Sequence, residues 1–167
     1  MKILVITQKV DTNDPILGFF HRWIEEFSKY YEKVCVICLK KGGHDLPPNV
    51  SIYSLGKEEG ESRIKYITRF YKYIWNLRKE YDVVFVHMNQ IYIVLGGILW
   101  RIWNKKIGLW YVHRQKSLSL WLSAYITNVI FTSSKESFGY QNSKVNYLGH
   151  GIDVSKYLQT NILYKIF

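Results

Sequence analysis

Seven short apolar runs, each continuous rather than alternating, constrain the fold of this chain more than any other feature: Ile3 to Thr7, Lys33 to Leu39, Val50 to Ser54, Asp82 to His87, Lys106 to Val112, Asn128 to Thr132 and Lys144 to Leu148. A strand that is apolar at successive positions is covered on both faces, which is the condition of a parallel sheet. Parallel neighbours need crossovers long enough to hold a helix, and helical patterns lie between most of the runs. The segment Leu17 to Tyr30 sets Phe20, Trp23, Ile24 and Phe27 at spacings of three and four, and Ser62 to Lys79 sets Ile64, Ile67, Tyr71, Ile74 and Trp75 along one stripe. The expected fold is α/β: a doubly wound, mainly parallel sheet flanked by helices, with ligands gathering at the carboxyl ends of the strands.

At 167 residues the chain is near the size of one domain. The formal charge of +10, from 23 Lys and Arg against 13 Asp and Glu, favours anionic partners: nucleotide phosphates, an anionic membrane face or nucleic acid. The basic and aromatic residues fall into no groove-reading or single-strand motif, so nucleic acid is not expected as a partner. Cys35 and Cys38 share one apolar run, where strand alternation sends them to opposite faces, so they read as buried structural thiols rather than a metal or redox pair. The start, Met-Lys-Ile-Leu-Val-Ile-Thr, is too short an apolar stretch for a secretory signal and reads as a first strand. Ile91 to Trp103, interrupted by Gly96-Gly97 and Arg101, is too short to span a bilayer and reads as a buried helix or an interfacial segment.

Several positions can carry chemistry. After the first strand, Gln8 to Phe20 is a polar loop opening into a helix, where an anion could meet amides, although its Asp and Asn residues equally suit turns and only Gly18 of a glycine-rich fingerprint is present. His87, followed by Met88 and Asn89, and His113, followed by Arg114, each end a strand, where this architecture places ligands. Ser133 and Glu136 have the spacing of a capping box, with Ser133 satisfying helix amides. Ser62 to Lys79 mixes Arg and Lys with Tyr, Phe and Trp. It reads first as a surface helix whose aromatic stripe is core, and second as a helix suited to an anionic bilayer interface.

With the strand start Met-Lys-Ile-Leu-Val-Ile-Thr, Gly18-Phe19-Phe20, Asp82 to His87, Trp110-Tyr111-Val112-His113, Phe131 to Phe138 and Gly149-His150-Gly151-Ile152-Asp153, the chain resembles the N-terminal domain of retaining glycosyltransferases of the two-domain GT-B fold, the glycosyltransferase family 4 type. It departs from that pattern at His150, where Asn is usual, and in having one loop glycine where many relatives have two. The resemblance implies that residues 1–150 are a Rossmann-like acceptor-binding domain and that 151–167 are an interdomain hinge leading into a donor domain, with Gly149, Gly151 and Asp153 forming the hinge. It implies His113 as the catalytic residue beside the reacting sugar, His87 lining the cleft, and Gly18, Phe19, Asn89, Arg114 and Ser134 near the acceptor or the donor phosphates. The implied reaction moves a sugar from a nucleotide diphosphate sugar to an acceptor hydroxyl with retention, in cell-surface polysaccharide or glycolipid synthesis, without a metal or other cofactor. The implied setting is cytoplasmic, at the inner face of the cell membrane with peripheral anionic contact, and the 167 residues alone are expected to transfer little or no sugar. Two alternatives stand beside this reading: a non-catalytic module that binds a membrane or partner, and a sugar-nucleotide epimerase of the same architecture, against which the hinge sequence argues.

Overall fold

The computed structural model describes residues 1–140 and 142–149; the division expected after residue 150 lies outside them. Seven strands form one sheet: β1 (Lys2–Val10), β2 (Lys33–Lys41), β3 (Val50–Ser54), β4 (Val83–His87), β5 (Lys106–Trp110), β6 (Val129–Thr132) and β7 (Val145–Tyr147). They pair in the order β3-β2-β1-β4-β5-β6-β7, every pair parallel. All seven expected strands are present. β1 and β2 run two or three residues beyond their apolar runs, because the polar ends Thr7 to Val10 and Cys38 to Lys41 continue the same ladder.

The helices are α1 (Phe19–Tyr30), α2 (Arg63–Asn76), α3 (Ile91–Ile102) and α4 (Leu118–Ile126). α2 starts at Ser62, whose hydroxyl accepts from the Lys65 amide, and α4 starts at Ser117, whose hydroxyl accepts from the Leu120 amide. α1 lies on one face of the sheet, where Phe20 and Ile24 pack on Val5, Val36 and Cys38. α2, α3 and α4 lie on the other, where Phe70, Ile74, Ile93, Trp100, Leu120 and Ala124 pack on Leu4, Ile6, Cys35 and Ile107. Cys35 and Cys38 therefore sit in different layers, so they cannot share a ligand, and burial pushes both thiols up, Cys38 to about 12.

Small residues let the second layer close up. A Cβ on Gly97 would stand 2.6 Å from the Ile126 side chain, so only glycine permits α3 to approach α4 this closely. The aromatic stripe assigned to the core on α2 needs correction: Phe70 and Ile74 are buried, whereas Ile64, Ile67, Tyr71 and Trp75 are exposed. The helix carries two apolar stripes, and the sheet takes the one containing Phe70.

Beneath α2 and α3 a buried polar relay replaces pure apolar packing. The Trp100 indole N–H donates to the Tyr81 hydroxyl at 3.1 Å, and that hydroxyl donates to the Ile74 carbonyl at 3.1 Å, with Trp100 and Tyr81 both fully buried. Removing the hydroxyl strands a buried donor and an acceptor, a loss of about 1–3 kcal/mol. Tyr81→Phe should therefore lower the unfolding free energy obtained from urea titration by that amount. The effect should shrink in a Trp100→Phe background, and equal losses in both backgrounds would show that the relay is not coupled.

Candidate active site at the strand ends

The sheet order reverses direction between β1 and β4, so the loops after these two strands diverge and leave a crevice at their carboxyl ends. From β1 comes the loop carrying Asp11 to Gly18, and from β4 come His87, Met88 and Asn89. The β1 loop is held by its own charges. Asp14 accepts from the amides of Ile16 and Leu17 and pairs with Lys9 at 2.5 Å, and Lys9 also pairs with Asp11 at 3.0 Å. The Lys9 ammonium and those two amides hold the Asp14 carboxyl down to about 2. The turn chemistry of Asp and Asn is thus what shapes this loop, and the amides of Ile16 and Leu17 are taken by Asp14. Gly18 is required sterically, since a Cβ there would stand 2.5 Å from the Asp14 carbonyl oxygen.

His87 ends β4 beneath the first turn of α1. Its ring stacks on Phe20 with centroids 4.1 Å apart, and Phe19 and Trp23 meet it edge-on at 6.0 and 5.8 Å. It is 2% exposed, so it is a floor under the aromatic rim rather than a surface ligand, while Phe19 above it is 51% exposed. Nδ1 lies 3.3 Å from the Thr7 hydroxyl. Burial pulls the imidazole down to about 4, so at neutral pH it is uncharged and can orient a hydroxyl but cannot offset a phosphate charge.

Immediately beyond it the backbone turns sharply. Met88 has φ 62, and the Asn89 amide reaches back to the His87 carbonyl at 2.8 Å, closing a three-residue turn. A non-glycine residue in the left-handed region is a local strain of the kind found at binding sites. Next to it the Asn89 Nδ2 group is buried without a hydrogen-bond partner among the described residues, as is the hydroxyl of Thr132 at the end of β6. Two buried polar atoms left over along one strand-end rim are groups available to a ligand or to water.

The remaining site residues lie further along the same rim. His113 is exposed, makes an isolated parallel bridge to Phe138 and sets its ring against Tyr111 at 5.8 Å. Arg114 donates through Nε to the Glu136 carbonyl, tying the loop after β5 to the turn after β6. That turn, Lys135–Ser137, is a single 3-10 turn and the expected capping box is absent: Ser133 donates to the Ser137 hydroxyl at 2.9 Å, and Ser134 bonds to the same hydroxyl at 2.9 Å. Three residues are too few to leave a full set of free amides for Ser133 to satisfy. The sequence-derived residues thus fall into two groups, Gly18, Phe19, His87 and Asn89 at the switch point, and His113, Arg114 and Ser134 over β5 and β6. Trp110 connects them: its carbonyl accepts from the Met88 amide and its ring meets Trp23 at 5.0 Å. Of the hinge residues, Gly149 has φ 73, and Gly151 and Asp153 lie outside the described residues.

Thr7, Phe20, Trp23, Met88, Trp110 and Thr132 complete the rim and were not named as site residues from the sequence. Thr7 and Thr132 could have been, as polar residues closing apolar strands; the backbone of Met88 leaves no sequence signal. A groove of about 660 Å³ opens between the first turns of α2 and α3, lined by Leu39, Tyr66, Ile67, Ile91, Tyr92 and Leu95. Among the described residues no three His, Cys, Asp or Glu side chains cluster as metal ligands.

The sequence matches no protein-family model and no curated protein. Solved structures do share the fold. HepE from Anabaena, solved in complex with UDP, superposes with TM-score 0.62 at 15% identity, over 94% of this chain and 46% of that one. The UDP-GlcNAc 2-epimerase of Methanocaldococcus jannaschii gives TM-score 0.58 at 14% identity, over 90% and 46%. MurG from Acinetobacter baumannii gives 0.56 at 10% identity, over 90% and 46%. The chain thus has the Rossmann-like α/β fold of these GT-B proteins and spans about half the length of each.

The buried imidazole gives the site a pH signature. With the folded pKa of His87 near 4 and the ordinary value at 6.5, the unfolded chain takes up a proton that the folded chain refuses between these limits. Stability from this group is full above about pH 6.5 and is lost as pH falls, by about 2 kcal/mol between pH 7 and 5. Urea unfolding across that range should show the slope, and His87→Gln should flatten it. A slope unchanged in the variant would place the titrating group elsewhere.

Proposed function

We propose that the chain is the acceptor-binding half of a retaining glycosyltransferase of the family 4 type, acting on a nucleotide diphosphate sugar and an acceptor hydroxyl. The observation that carries this reading is the strained turn at Met88 with the buried, unpartnered Asn89 amide, set at the β1/β4 switch point under the exposed ring of Phe19. In this reading the acceptor's sugar stacks on Phe19, its hydroxyl is oriented by the Asn89 amide, and His87 below keeps the aromatic floor in place without charge. His113 and Arg114, exposed on the neighbouring loop, face the reacting sugar and the donor phosphates. The donor is held mainly by a second half of comparable size, in keeping with the share of HepE, the epimerase and MurG that this chain covers. HepE was solved with UDP and with UDP-glucose, which supports a uridine nucleotide sugar as the donor class.

An epimerase half is the second reading, favoured by the similar superposition of the 2-epimerases. The two differ in what this half must bind, because an epimerase needs no second sugar. In amide NMR titrations of the 167-residue chain, octyl glucoside below its micellar concentration should shift Phe19, Asn89 and His113, and Asn89→Ala should abolish the Phe19 and Asn89 shifts. UDP-glucose alone should shift these signals far less. Silence with octyl glucoside, or tight binding of UDP-glucose by this chain, would overturn the acceptor assignment.

A further inference from the structure

The groove between the first turns of α2 and α3 is a concave site separate from the strand-end rim, and at about 660 Å³ it has the size of a small-molecule pocket. Leu39 lines it from the end of β2, Ile67 from α2, and Ile91 and Leu95 from α3. One turn beyond Ile67, the Tyr71 hydroxyl donates to the Leu95 carbonyl at 3.0 Å and ties the two helices together. The apolar walls are thus fixed by packed elements.

Three polar groups of the lining are uncommitted, and they set the chemistry of an occupant. Tyr92 is 8% exposed, its ring packs on Phe70 with centroids 5.0 Å apart, and its hydroxyl makes no hydrogen bond among the described residues. A phenol this buried ordinarily has a partner. Burial pushes it up to about 12, so it keeps its proton and can donate to an oxygen. At the mouth Lys57 and Arg63 are exposed and make no ion pair among the described residues. The neighbouring acids are engaged elsewhere. Glu61, which also lines the groove, pairs with Lys65 at 2.6 Å and Arg69 at 3.1 Å, Glu59 pairs with Arg69 at 2.9 Å, and Glu58 accepts from the Lys41 amide at 3.1 Å. Arg69 also donates to the Leu55 carbonyl at 3.3 Å, which holds the stretch carrying Lys57 against α2. A purely apolar ligand would leave all three groups unanswered, and a small inorganic anion would leave the apolar walls bare. A chain or ring ending in a phosphate answers both, because the head carries close to two negative charges and a guanidinium forks onto its oxygens.

We infer that the α2–α3 groove binds the phosphate monoester of an apolar alcohol, with the apolar part along Leu39, Ile67 and Leu95, an ester oxygen accepting from the Tyr92 hydroxyl, and the phosphate on Lys57 and Arg63. The inference goes beyond the assignment of the strand-end site and does not depend on it. The test is calorimetric titration of the 167-residue chain with octyl phosphate below its micellar concentration, set against octan-1-ol, octanoate and inorganic phosphate. Octyl phosphate binds, and each of the other three binds at least about tenfold more weakly. In amide NMR spectra octyl phosphate shifts Ile67, Tyr92 and Leu95 and spares Phe19 and His113, which separates this site from the strand-end one. Lys57→Gln with Arg63→Gln lowers the affinity for octyl phosphate about tenfold or more and leaves that for octan-1-ol unchanged. Tyr92→Phe weakens binding of octyl phosphate, yet the unfolding free energy of the ligand-free chain does not fall, because no protein group loses a partner. Binding of octan-1-ol, octanoate or inorganic phosphate as tight as that of octyl phosphate, shifts confined to the strand-end rim, or an unchanged affinity in the Lys57 and Arg63 double variant would each overturn it.

Discussion

Pairing of β1 with β2 on one side and β4 on the other is the constraint from which the remaining structure follows. A strand paired in parallel on both edges has no free backbone groups and must be covered above and below, so its sheet needs helical crossovers on both faces, although β2 reaches β3 by a loop alone and β6 reaches β7 through a single 3-10 turn. Because β2 lies on one side of β1 and β4 on the other, the chain reverses its direction of travel across the sheet at β1. The connection to β2 puts α1 on one face, whereas those through α2, α3 and α4 cover the other. The same reversal opens the crevice where the loops after β1 and β4 part. The binding rim and the uneven helical layers thus have one cause.

Much of this was legible in the sequence because burial on both faces leaves a direct mark. Continuous apolar runs identified all seven strands, and alternation correctly parted Cys35 from Cys38. α4 was not foreseen: Leu118 to Ile126 is apolar nearly all round and short, so it carries no period to detect. The stripe on α2 misled for a different reason. Ile64, Tyr71 and Trp75 have the spacing of a core stripe, and periodicity finds a stripe without saying which side meets the sheet. At the site, His87 and His113 were legible as strand ends, because parallel topology sends strand ends to one rim. The setting of His87 was not, since it depends on where the first turn of α1 lands across eighty residues of chain from Thr7 to His87.

That setting decides the chemistry available at the switch point. An imidazole stacked on Phe20 and closed over by Phe19 and Trp23 loses the hydration that would stabilise its cation. It therefore contributes shape and a hydrogen bond to Thr7, while exposed cations such as Arg114, Lys116 and Lys135 stand over β5 and β6. A division between a neutral aromatic floor at β1 and β4 and a cation over β5 and β6 suits a ligand with an uncharged end and an anionic one. A sugar hydroxyl approaching a phosphate-bearing donor has this polarity.

The groove between the first turns of α2 and α3 shares no lining residue with the strand-end site. Leu39 and Tyr92 line it from the sheet and core, and Ile67 and Ile91, both partly exposed, line it from the helical face. Beside these apolar side chains, Lys57, Glu61, Ser62 and Arg63 also line it. An apolar part of an acceptor laid in this groove would gain about 25 cal/mol for each Å² it buries relative to water, a gain that does not distinguish one apolar chain from another. Selection among ligands would then fall to the polar groups of the rim, where a buried amide left unpaired by the wrong ligand costs more than apolar contact returns.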